Sequence, residues 1–99
     1  MAKQSKSILQ QGDPRCYFCG ARTGLERHHV MTGPNRALAE ADGLWIYACS
    51  FHHTDPKEGI QYNRKKADAM KRTAQIAYEA RHSHDEWMQR YRKNYLEKG

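Results

Sequence analysis

The sequence predicts a small α+β protein, a zinc-stabilised core of two short strands with a two-helix C-terminal extension. Three observations predict it. Cysteines and histidines gather between Cys16 and His53 at spacings that suit a metal. Two short stretches, 25–31 and 44–48, read as strands. From residue 63 onward the apolar residues recur at helical spacing.

The chain has 99 residues, enough for one domain. That domain is expected over 14–99, with its core in 14–62 and a helical tail in 63–99. Residues 1–13 are polar apart from Ile8 and Leu9 and read as a flexible basic arm. Hydrophobic residues make up 38% and charged residues 28%, so the apolar core is thin. Domains of this size often depend on a staple, and a structural metal is one. No signal peptide or long apolar run is readable, so a cytosolic setting with no membrane is expected. In that setting paired cysteines favour metal over disulfide.

The formal net charge is +6 and is uneven. Residues 1–61 carry 7 basic and 6 acidic groups, whereas residues 62–99 carry 10 basic and 5 acidic ones. A basic tail beside a metal core suits a polyanion such as DNA. A lysine-rich solvated helix surface would give the same count.

Taken in order, Asp13-Pro14 is a turn signal leading into Cys16-x-x-Cys19-Gly20. The first strand is broken by Thr32-Gly33-Pro34-Asn35. Arg36 to Asp42 form one or two helical turns, ended by Gly43. Leu44 to Ala48, aromatic and β-branched, is the better strand and delivers Cys49. The two strands are expected to pair antiparallel. Thr54-Asp55-Pro56 is a turn or a helix start. Residues 63–81 form an amphipathic helix with Ala67, Met70, Ala74, Ala77 and Tyr78 along its stripe. His82-Ser83-His84 ends it. Ser83-x-x-Glu86 is a capping box opening a last helix with Trp87, Met88, Tyr91 and Tyr95 on one face.

Tetrahedral zinc takes four N/S ligands, often as two close pairs. Cys16 and Cys19 make one pair, and Cys49 with His52 makes the other at the same spacing. Cys49 with His53 is an alternative; His52 is preferred because both knuckles then match. A redox role for Cys16 and Cys19 would call for a βαβ context that is not readable here. With zinc satisfied, His28, His29 and His53 are left over beside the knuckles.

The order of motifs resembles the HNH nuclease family in its zinc-containing treble-clef, ββα-metal form. The resemblance rests on CxxC, then His28-His29-Val30, then Gly43-Leu44-Trp45-Ile46-Tyr47-Ala48-Cys49-x-x-His52-His53, and covers residues 16–53. Gly33-Pro34-Asn35-Arg36 and Lys93-Asn94-Tyr95-Leu96 are similar to small phage-encoded members, some tied to recombination. The resemblance implies that His28 and His53 hold a catalytic divalent ion (Mn²⁺, Ni²⁺, Mg²⁺ or Zn²⁺). It implies that His29 is the general base. The family's central Asn falls at Gly43 here, so Asn35, or else Asn63, would take its role. A DNA substrate, a recombination or packaging partner, a homodimer for double-strand cutting, and the host cytoplasm as location are further implications.

Chemistry supports these roles independently. A neutral imidazole, with an unperturbed pKa near ~6.5, can take a proton from water at neutral pH. A divalent ion can bind the scissile phosphate and stabilise charge on the leaving oxygen. One tension is built in: on an ideal strand His28 and His29 point to opposite faces, and both can serve one phosphate only if the strand ends, twists or bulges there; if it runs straight, one of the two is misassigned. Arg27, Arg36, Lys57, Arg64 and Lys65 are the expected phosphate contacts, which position without reading sequence. The aromatic stripe of the last helix is expected to pack rather than to stack on bases. A non-catalytic zinc-dependent DNA-binding or recombination accessory module is the alternative function.

Overall fold

The computed structural model describes residues 6–96. Strands β1 (Leu25–His29) and β2 (Trp45–Cys49) pair antiparallel, with Leu25 opposite Cys49 and His28 opposite Ile46. The inward side of β2 supplies Ile46 and Ala48, both fully buried. Burying a side chain such as Ile46 contributes about 1.5–3 kcal/mol.

The connection between the strands is structured. A single 3₁₀ turn at Gly33–Asn35 leads into α1 (Arg36–Asp42). Helix α1 stops where expected, at Gly43, whose φ of 74° lies in the left-handed region. A second constraint acts on Gly43: a Cβ there would run into the Lys6 carbonyl of the N-terminal segment.

That segment departs from the expected loose arm. Residues 1–5 lie outside the described residues, but residues 7–10 dock beside β2. The Ile8 amide donates to the Gly43 carbonyl at 2.9 Å. The Ser7 hydroxyl donates to the Trp45 carbonyl at 2.5 Å, and the Tyr47 amide donates to Gln10 Oε1 at 2.9 Å. The reason is the open edge of β2, whose backbone groups need partners.

Helix α2 (Ser50–Thr54) begins directly after β2. The sequence reading placed a turn or helix start at 54–56; the helix precedes that point and ends there, since Asp55 takes the extended backbone that a following proline favours. Helix α3 (Arg64–Glu79) opens at Asn63, whose side chain accepts from the Lys66 amide. Helix α4 (His84–Tyr91) carries both bonds of the Ser83–Glu86 capping box. The result is a small α+β protein with a two-stranded sheet and four helices among the described residues.

One core runs through all of this. Val30, Met31, Leu44 and Ile46 of the hairpin meet Met70, Ala74 and Tyr78 of α3 and Trp87 and Tyr91 of α4. The aromatic stripe packs, as expected, but Tyr95 is not on α4. That helix ends at Arg92 in the left-handed region, and the chain then folds back. The Tyr95 amide donates to Gln75 Oε1 at 2.7 Å, and Trp87 Nε1 donates to the Lys93 carbonyl at 2.8 Å.

Candidate metal centre and flanking histidines

The first knuckle is a tight turn closed by the Gly20 amide on the Cys16 carbonyl at 2.9 Å. Cys49 ends β2, and His52 lies in the first turn of α2. These elements bring one ligand atom each from Cys16, Cys19, Cys49 and His52 within 4.8 Å of one another. His52 Nδ1 is 3.3 Å from Cys49 Sγ and 3.7 Å from Cys16 Sγ, and Cys19 and Cys49 sulfurs are 3.8 Å apart. A tetrahedron with Zn–S bonds of about 2.3 Å has sulfur–sulfur edges of about 3.8 Å. The group can therefore hold a structural metal such as zinc. His52, rather than His53, is the histidine in it.

Burial of Cys16 pushes its thiol up, but backbone hydrogen bonds at Cys49, Cys19 and Phe18 outweigh this and bring it down to about 6. The thiolate is the form that binds metal.

The three other histidines beside the knuckles divide two and one. Strand β1 is regular, so alternate residues share a face. His28 lies on the same side as Glu26. The His28 ring sits 5.4 Å, centroid to centroid, from that of His53 on α2. His53 Nδ1 is 2.6 Å from a Glu26 carboxylate oxygen. Burial, with the charges of His53, His29 and Lys71, lowers the His28 pKa to about 4 and keeps its ring neutral.

His29 is on the opposite face with Arg27. Its Nε2 is 2.7 Å from Glu40 Oε1, and Arg27 reaches both Glu40 oxygens at 3.1 Å. The His29 bond, against partial burial and with help from Arg27, holds the Glu40 carboxyl below its usual range. The Arg27 guanidinium also lies 3.8 Å over the Trp45 ring. A shallow cavity of about 450 Å³, lined by His29, Gly33, Pro34, Arg36 and Glu40, opens beside the pair. His28 and His53 are thus brought together and His29 is not, because the strand has no bulge to turn it.

Asn35 precedes α1 and makes no side-chain cap; it does not line the His29 cavity. Asn63 is occupied as the cap of α3, with its amide donating to the Lys57 carbonyl at 3.2 Å. Arg36, Lys57, Arg64 and Lys65 are all exposed. Two residues were missed by sequence reasoning, Glu26 and Glu40. Strand alternation from His28 could have found Glu26. Nothing local points to Glu40, which meets His29 only through the placement of α1.

No protein-family model matches the chain, and no curated protein or solved structure matches it either. No described helix is long and apolar enough to cross a membrane.

Proposed function

We propose that the protein is a metal-dependent HNH-type endonuclease acting on DNA. The observation that carries the reading is the His28–His53 pair, one imidazole from β1 and one from α2 packed together beside a Cys₃His group suited to zinc. A knuckle, a hairpin and a second knuckle at a helix start also fit a treble-clef, ββα-metal arrangement.

In this reading Cys16, Cys19, Cys49 and His52 hold the frame through zinc. His28 and His53 hold a divalent ion (Mn²⁺, Ni²⁺, Mg²⁺ or Zn²⁺), which when bound neutralises the scissile phosphate and the leaving oxygen. Two imidazole ligands suit a transition metal better than an ion such as Mg²⁺ that prefers oxygen ligands. His29 takes the proton from water, and Glu40 orients its ring. His29 is the last residue of β1 and lies on the opposite face, so it would reach the phosphodiester only across the strand end. Glu40 supplies the orientation expected of Asn35. Arg27, Arg36, Lys57, Arg64 and Lys65 hold the flanking phosphates.

A second reading, a zinc-stapled DNA-binding module without catalysis, is favoured by one observation: His29 faces away from the other two and is engaged by Glu40. Plasmid nicking in Mn²⁺ or Ni²⁺ separates the two. The nuclease reading expects wild-type nicking, with a loss of about 10²-fold or more in His29→Ala and His28→Ala at unchanged zinc content. A wild type that binds DNA but nicks under no metal sinks it in favour of the module.

A further inference from the structure

Resting on the metal site proposed above, we infer that Glu26 is a positioning residue that makes His53 a ligand, by fixing which of its ring nitrogens carries the proton. Glu26 and His28 are two residues apart on β1, so they share a face, and α2 lays His53 against both. The contact from His53 to Glu26 is through Nδ1, at 2.6 Å. The Glu26 carboxylate oxygen is the acceptor of this bond, so Nδ1 is its donor. With Nδ1 engaged by Glu26, Nε2, at the ring edge away from Glu26, is the nitrogen left for a metal.

The neighbouring histidine does the reverse. His52 turns Nδ1 to the cysteines, at 3.3 Å from Cys49 Sγ. Two consecutive histidines therefore use different nitrogens for different sites. Glu26 occupies the nitrogen of His53 that corresponds to the one His52 turns to the cysteines. His28 offers the second donor. No hydrogen bond to its side chain is formed among the described residues, and its ring stands at 68° to that of His53. A carboxylate behind a ligating histidine fixes the tautomer and raises ligand basicity, and its loss typically lowers metal affinity 10–100-fold.

The test uses the full chain loaded with one zinc. Long-range ¹H–¹⁵N NMR reads the His53 tautomer, assigned by its loss in His53→Gln, before any second metal is added. Titration with Mn²⁺ alone then reads affinity without turnover. Wild type is expected to show a protonated Nδ1 and a bare Nε2 on His53. Glu26→Ala is expected to lose that tautomer and to weaken Mn²⁺ binding 10–100-fold with zinc content unchanged. Glu26→Gln keeps an acceptor, so it retains the tautomer and loses less. The inference is overturned by a protonated Nε2 in wild type, by equal Mn²⁺ affinity in Glu26→Ala, or by a Glu26→Gln loss as large as that of Glu26→Ala. A wild type that takes up zinc but no Mn²⁺ defeats the metal site itself and the inference with it.

Discussion

His29 and Glu40 meet at 2.7 Å across the groove between β1 and α1, on the side of the strand that His28 does not face. Glu40 comes eleven positions after His29, and α1 carries it back to the strand. Arg27 completes the group by contacting the same carboxylate.

This group makes stability sensitive to acid. The Glu40 carboxyl titrates below its ordinary 4.5 in the folded protein, chiefly through the His29 bond. Its contribution is present above pH 4.5 and is lost as pH falls through the lower, folded value. The melting temperature is expected to drop on acidification below pH 4.5, and to drop less steeply in Glu40→Gln. Equal slopes in thermal melts of the two proteins would show that Glu40 is not coupled to folding.

The knuckle geometry predicts the ligand set. One zinc per chain is expected in wild type and in His53→Ala, and none tightly held in Cys16→Ser, Cys49→Ser or His52→Ala. Because metal binding is coupled to folding, chelation is expected to abolish cooperative unfolding. Zinc measured by chromogenic release and by mass spectrometry decides it; zinc lost from His53→Ala but kept in His52→Ala would reverse the assignment.

Gly43 stands where the proposed HNH-type reading would call for asparagine. Asparagine tolerates a positive φ, so the obstacle is the docked N-terminal segment, whose Lys6 carbonyl closes the space. Gly43→Asn is expected to destabilise by about 1–3 kcal/mol, the range for overpacking. Much of that loss should vanish when residues 1–10 are deleted. Additive effects in urea melts would argue that the segment does not press on Gly43.

Tyr91 governs the alkaline limb. Burial, and then the Asp42 carboxylate that accepts its hydroxyl proton at 2.5 Å, raise its pKa well above the usual 10. The neutral phenol stabilises the fold below pH 10, and that contribution fades as pH rises beyond it. Tyr91→Phe is expected to cost about 1 kcal/mol at neutral pH and to flatten the decline above pH 10. Tyr78 and Tyr95 are also raised and keep part of the slope. An unchanged alkaline slope in Tyr91→Phe would contradict this.

The sequence by itself determined most of the elements and the members of the candidate metal group. Cysteine spacing named the four members of the metal group, Gly43 and the Ser83–Glu86 box marked helix ends, and the 44–48 run announced its strand, because caps, turns and knuckles are local. Only the tertiary structure decided how the surplus histidines are shared out. His28 joins His53, and His29 joins Glu40, because a regular strand alternates its faces and each face meets a different helix. The docking of residues 7–10 and the return of Tyr95 to Gln75 were likewise settled by unpaired backbone and polar groups finding partners far along the chain, which no local pattern encodes.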